Sequence, residues 1–380
     1  MIDKNTIIDG FKSRYNSAAT VLSSAPGRLE ILGNHTDYNE GFVISAAVDL
    51  GTTVALAKRD DRMVNIHNPS LDLTAEFSLD AIGDAIPGDW CNYVKGVIVE
   101  MQKRAFEFAG FDAFFDGDVP LSAGMSSSAA LEISFALGIG KLYGIELENS
   151  EWARIGQGSE ANYIGVNTGL LDQFTSLMGK KNAFVKTDFR SLEVETIDAP
   201  DSAVFVVTNS HVKHDLTEEY NERHERCIDA AKVLNVPFLR DADQQQLDDA
   251  KASMHILSYR RACHILGEND RVHAAEEALK QNDLTSFGRL LNASHESSKN
   301  NFENSCPELD ILVDAGKALD GFYGARLSGG GFGGISIHLV DKEKAGDYKD
   351  NLESYIKAHT GEIPQVMICA IGDGATVEEL

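Results

Sequence analysis

The alternation of apolar and polar positions changes period repeatedly along the chain, and each change marks an element. Residues 6–20 carry apolar groups at helical spacing and predict a short amphipathic helix that leads into a strand at 21–24. Apolar, β-branched runs predict strands at 42–48 and 52–57, and a more polar strand pair covers about 63–79. A helix opens at Trp90 and runs to about Phe108, followed by a strand at 111–115. Helices are expected at 125–143, 149–164 and 170–179, then strands at 183–188, 193–197 and 203–208. Beyond them come a long helix at 216–234, several polar helices to about 300, another helix at 309–319 and a strand leading into residues 327–337. A chain of 380 residues exceeds one core of ordinary size, so two domains are expected, 1–200 and 201–380, meeting near Pro200.

Three loops in this pattern hold most of the candidate chemistry. Residues 25–41 form a glycine-flanked strand that ends in the polar turn Asn34-His35-Thr36-Asp37-Tyr38-Asn39, and polar turns on a rigid strand are common places for binding groups. Residues 119–130 put Gly124 and the hydroxyls of Ser126, Ser127 and Ser128 at the start of a helix. Gly124 permits a tight turn, and the serines suit N-cap and first-turn positions. Leu131, Phe135 and Leu142 continue the helix, whose free N–H groups and dipole would face an anion. An ordinary capped helix would show the same residues. The third loop, 329–334, is almost entirely glycine. Asp172 lies among apolar neighbours in the helix 170–179. A buried carboxylate needs a partner or a chemical role, and an acid complementing a helix N-terminus is the other account.

Charge and cysteine usage narrow the classes. With 34 Lys and Arg against 59 Asp and Glu, the net charge is -25, which makes long nucleic acids and anionic membranes poor partners. An anionic ligand therefore requires a local basic site and a divalent cation. The five cysteines are scattered without C-x-x-C spacing, which fits a reducing cytoplasm rather than a disulfide framework. The N-terminus shows no secretory pattern and no apolar run approaches the ~18 residues of a membrane span, so a soluble cytoplasmic protein is expected. Known phosphate-binding patterns are absent: Gly140-Lys141, Gly179-Lys180 and Gly316-Lys317 each continue with the wrong residue for a phosphate loop. His211-x-x-His214 and His35-x-Asp37 are the close ligand-type pairs, and both suit surface or substrate contacts better than a closed metal site.

Taken together, residues 28–41, 120–130 and 328–334 resemble, in order and spacing, the three motifs of the galactokinase, homoserine kinase, mevalonate kinase and phosphomevalonate kinase superfamily, and within it the galactokinases. Asn92-Tyr93-Val94, Leu171-Asp172-Gln173-Phe174, Tyr220-Asn221-Glu222-Arg223 with Cys227, Ser294-His295 and Glu308-Leu309-Asp310 extend the resemblance over nearly the whole chain. It implies an α+β, two-domain small-molecule kinase fold, with an N-terminal ribosomal-protein-S5-like domain, a C-terminal ferredoxin-like domain and the active site between them. It also implies ATP-dependent phosphorylation of a monosaccharide at its anomeric hydroxyl, with galactose first. In that pattern Asp172 accepts or polarises the hydroxyl proton and Arg28 is its partner. Gly124, Ser126, Ser127 and Ser128 hold phosphates, Ser128 and Glu160 hold Mg²⁺, and Trp90 belongs to the adenine pocket. Asn34, His35, Asp37, Gly169 and Tyr220 match the sugar contacts. The partners implied are ATP and a small sugar, on a monomer or weak homodimer. Three positions depart from the motif: Asn34 stands where glutamate is usual, Glu30 where asparagine is commoner, and Thr168 where cysteine is usual. An amide donates as well as accepts whereas a carboxylate only accepts. N-acetylgalactosamine, arabinose or another C1-phosphorylated sugar therefore remain alternatives, and a 6-hydroxyl contact is in question. A non-catalytic sugar and ATP sensor is the alternative of another class. Such sensors carry a shortened serine loop, and the intact Ser126-Ser127-Ser128-Ala129-Ala130 favours an enzyme.

Overall fold

The structure is a computed structural model that describes every residue except 1, 121–123, 213–216 and 362–364. The front of the serine loop, His214 and the predicted helix start at Leu216 thus lie outside the described residues. The described strands are β1 Val21–Leu32, β2 Phe42–Lys58, β3 Met63–Asn68, β4 Leu73–Ser78, β5 Phe111–Gly117, β6 Ala183–Asp188, β7 Glu193–Asp198, β8 Ala203–Asn209, β9 Phe322–Ser328, β10 Ile335–Asp341, β11 Gln365–Cys369 and β12 Thr376–Glu379. An eight-stranded sheet runs β12-β1-β2-β5-β3-β4, with β6 on β2 and β7 on β6. A four-stranded sheet, β11-β8-β10-β9, is antiparallel throughout.

Every residue of β1 is buried, because helices and the second sheet cover both its faces. The Pro26-Gly27 pair, which reads as a strand end in sequence, instead sits at a register shift inside one twelve-residue strand. A Cβ on Gly27 would lie 2.5 Å from the Met125 carbonyl oxygen, so glycine there lets the serine loop cross the strand at close range. The first helix, Lys4–Tyr15, starts at Asp3, whose side chain accepts the Thr6 N–H. It stops before the predicted residue 20 because Asn16 turns left-handed at φ 53°.

The helices Cys91–Lys103, Ser127–Tyr143, Asn149–Gly158 and Leu171–Met178 close a core with Val54, Leu56, Phe111, Phe115, Ile133 and Phe135. A second core joins the two sheets, from Leu29, Ile31 and Ile44 through Phe287 and Leu291 to Val207, Ile335 and Ile337. At this seam Ser328 Oγ accepts the Glu30 N–H at 2.9 Å. The last strand, β12, pairs with Val21–Ser24 of β1, so the end of the chain completes the N-terminal sheet. The helix predicted over 149–164 changes character at Ser159, where Ser159–Ile164 widens into a π turn.

Candidate active site

β1 delivers Arg28 to the first turn of Leu171–Met178. The guanidinium forks onto Asp172, Nε to Oδ1 at 2.8 Å and Nη2 to Oδ2 at 2.9 Å, and Nη1 donates to the Gly124 carbonyl at 2.6 Å. Two parallel charge-assisted bonds fix the orientation of the carboxylate as well as its position. The third contact ties the pair to the serine loop. Ser126, in the left-handed region at φ 54°, donates its hydroxyl to Asp172 Oδ2 rather than to its own helix. The predicted side-chain cap is therefore absent, and the first-turn N–H groups of Ser127–Tyr143 keep no side-chain acceptor from Ser126.

The π turn puts Glu160 behind this loop. Its carboxylate takes the Thr168 hydroxyl at 2.7 Å and the Gln173 amide at 3.4 Å. Burial and the charge of Asp172 raise its pKa, against the hydroxyls of Thr168 and Ser128. Gln173 also donates to Glu132 Oε2 at 3.0 Å, while Glu132 Oε1 and Gln173 Oε1 are buried without a partner among the described residues. Departures of this kind from the ordinary helix period are frequent at functional sites. Among the described residues no group of three or more His, Cys, Asp or Glu could hold a metal by itself.

One cavity opens on the Arg28–Asp172 fork and a second on the helix start beside Ser126. The smaller, about 130 Å³, is lined by Arg28, Glu30, His35, Asp37, Asp172 and Tyr220, with Thr168, Gly169, Leu171 and Gly330. Burial, followed by the nearby charges of Glu30 and Asp172, pushes the Asp37 pKa up to about 7 against the backbone N–H of Tyr38. Gly169 is required by packing: a Cβ there would fall 1.7 Å from Asp37 Oδ2. His35 Nε2 lies 3.1 Å from the Gly330 carbonyl, which only accepts, so Nε2 carries the proton and Nδ1 accepts from the Tyr38 hydroxyl at 2.9 Å. Burial lowers the His35 pKa to about 3, and the neutral ring packs between Tyr220 and Phe302. The larger cavity, about 410 Å³, is lined by Trp90, Tyr93, Phe115, Leu131, Ser127 and Ser128 among others. Trp90 faces Phe115 with ring centroids 5.5 Å apart.

Arg28, Asp37, His35, Gly169, Asp172 and Tyr220 thus converge on one cavity, and Trp90 and Ser128 on the other. Asn34 does not reach either: it is fully buried, and its side chain bonds Glu30, the Gly329 carbonyl and Asn304. The glycine loop 329–334 comes within 3.5 Å of a Cβ built on Gly124. Sequence reasoning missed the residues that hold the turn at 33–35. Glu268, on the helix Ile256–Lys280, accepts the backbone N–H groups of Gly33 and Asn34 at 2.9 and 3.0 Å, and His264 Nε2 meets the Asn34 carbonyl at 3.1 Å. Burial alone would raise the Glu268 pKa, but Arg271, His264 and Arg326 hold it far below the usual range. Their only sequence signal was the i, i+4 spacing of His264 and Glu268 on one helix face. Arg326, also missed, is fully buried and pairs with Glu30 at 2.9 Å.

Comparison with known proteins agrees with this geometry. Residues 9–58 match the galactokinase galactose-binding signature, 92–180 the N-terminal domain of GHMP kinases and 275–358 their C-terminal domain. Galactokinases of Actinobacillus succinogenes and Haemophilus influenzae are 39% and 38% identical to the chain, covering 96% and 97% of each protein. The crystal structure of Lactococcus lactis galactokinase complexed with galactose superposes with a TM-score of 0.93 at 31% identity, covering 98% of this chain and 99% of that one. The Methanococcus jannaschii mevalonate kinase, at 20% identity and a TM-score of 0.64, shares the two-domain fold. With an arginine-clamped carboxylate in the smaller cavity and full-length likeness to these enzymes, the chain belongs to the galactokinase family of GHMP sugar kinases.

Proposed function

We propose that the protein transfers the γ-phosphoryl group of ATP, with Mg²⁺, to the anomeric hydroxyl of galactose, giving galactose 1-phosphate and ADP. The observation that carries this reading is the Arg28–Asp172 fork, which lines the smaller cavity and is bonded through Ser126 to the helix start that lines the larger one. A sugar seated on Asp37, Gly169 and Tyr220 offers its anomeric hydroxyl to Asp172, while Asn34 and His35 hold the turn that carries Asp37. The hydroxyl proton passes to the carboxylate, the oxygen attacks the γ-phosphorus, and the bond to the bridging oxygen breaks to release ADP. Arg28 stabilises the charge that spreads over the transferred group. Bound phosphates meet Gly124 and the free N–H groups at Ser127 and Ser128, and adenine fits beside Trp90.

Ser128 and Glu160 fit a magnesium ion, since both present hard oxygen donors and a cation offsets the burial that disfavours the charged Glu160. Bound there, such an ion would neutralise charge on the phosphate oxygens. The same reading divides the chain near Pro200, with the cleft between the halves. Sugar-dependent ADP release with ATP and Mg²⁺ tests it, using galactose, N-acetylgalactosamine and arabinose, with the product located by phosphorus NMR. Turnover highest with galactose and phosphate on C1 is expected. Binding of galactose and ATP without ADP release would leave a sensor and remove the kinase.

A further inference from the structure

The smaller cavity contains an acid that the motif pattern does not expect there. Glu30 lies two residues beyond Arg28 on β1, hence on the same face of the strand and ~6.6 Å further along it. Its Oε1 accepts from Arg326 Nη2 at 2.9 Å and from Asn34 Nδ2 at 2.8 Å. Its Oε2 bonds no described residue, and Glu30 is part of the cavity lining. Asn34 is placed the other way round. Its amide nitrogen is spent on Glu30 and on the Gly329 carbonyl at 2.9 Å, and its amide oxygen on Asn304 and Ser298 at 2.9 and 3.4 Å. The usual glutamate and asparagine have exchanged positions within one hydrogen-bonded pair, and in this chain the carboxylate is the member that faces the ligand space.

We propose that Glu30 selects the sugar at the end of the ring remote from the phosphorylated hydroxyl, accepting a hydrogen bond from the exocyclic 6-hydroxyl on Oε2. This inference rests on the galactose kinase reading. With the anomeric oxygen held at Asp172, the ring extends along β1 away from Arg28, and its exocyclic arm is the group with the reach to meet the next acid on that face. Arg326 holds the carboxylate in place from behind, so the contact is ready before the sugar arrives. Asp37 stands on the other side, against Gly169 and the Leu171 N–H, and takes ring hydroxyls.

The test measures calorimetric affinity for galactose and 6-deoxygalactose, a readout that does not depend on turnover. The wild-type protein binds galactose about ten- to a hundredfold more tightly, the worth of one hydrogen bond to a charged group. Glu30→Gln shrinks that ratio by weakening galactose and leaving 6-deoxygalactose nearly unchanged. The transposed pair, Glu30→Asn with Asn34→Glu, restores part of the ratio. Equal wild-type affinity for the two sugars overturns the inference, and so does a Glu30→Gln variant that loses both sugars alike, which marks a purely structural acid. Galactose binding without phosphoryl transfer overturns the proposed reaction while the affinity ratio still decides Glu30. Failure of the wild-type protein to bind galactose overturns both.

Discussion

Arg28 grips Asp172 through two parallel N–H···O bonds of 2.8 and 2.9 Å, although 144 residues separate them in the chain. The pair presents the carboxylate in one orientation to whatever occupies the smaller cavity. In the proposed reaction, replacing Asp172 with Asn removes the proton acceptor, and replacing Arg28 with Ala removes the charge that stabilises the transferred group. Each variant is expected to lower kcat by about 10²–10⁴-fold, with circular dichroism unchanged. Near-normal turnover in either takes that residue out of the mechanism.

Gly169 leaves no space for a methyl group beside Asp37. Gly169→Ala must displace the Asp37 carboxylate, so we expect the KM for sugar to rise at least tenfold while the KM for ATP holds. Steady-state kinetics with each substrate varied in turn separates the two, and an equal rise in both would point to a general distortion of the cleft.

Asp37 contributes a pH dependence whose sign follows from its environment. Burial and the neighbouring acids raise its folded pKa from 3.8 to about 7, so its stabilising contribution is complete below the unfolded value and is lost as pH rises through about 7. In the sugar-free protein, Asp37→Asn should therefore raise Tm more at pH 8 than at pH 5, and at the same time abolish sugar binding. Thermal melts at the two pH values, run without ligand, check it. A Tm gain of the same size at both would show that the carboxylate carries no such penalty.

Glu268 holds the 33–35 turn from the opposite half of the chain, with two backbone N–H groups on one oxygen. Its depressed pKa means that this stabilisation is present above the ordinary glutamate range and is lost as the pH falls below it. Removing one partner from a buried ion pair costs about 3–5 kcal/mol, so Glu268→Ala is expected to lower the urea midpoint substantially and to weaken sugar binding through the displaced turn. An unchanged midpoint would mean that water replaces the carboxylate at no cost.

Trp90 lines the larger cavity, whereas Trp152 is buried in the core. ATP should therefore perturb tryptophan fluorescence through Trp90, and Trp90→Ala should raise the KM for ATP about tenfold with little change in sugar affinity. A nucleotide response that survives in the Trp90→Ala protein would place adenine elsewhere.

How far the chain could be read before its coordinates depended on the range of the interactions involved. Helix and strand periods are local, so most elements were legible within a few residues, and Arg28, Asp172, the serine loop and the glycine loop could be recognised from motifs in order. The errors arose where distant chain overrode a local signal. Pro26-Gly27 did not end β1: the glycine is there because the serine loop crosses the strand where no side chain fits. Ser126 did not cap its helix, because Asp172, 46 residues away, takes its hydroxyl. Glu268, His264 and Arg326 gave almost no local sign, since what they hold is backbone or carboxylate far along the sequence. The exchange at positions 30 and 34 was visible as two departures, yet only packing decided which residue faces the cavity. Amino-acid order alone determined the type of chemistry, because that depends on which groups are present. The folded chain decided the direction each group points, because burial and pairing are properties of neighbours in space.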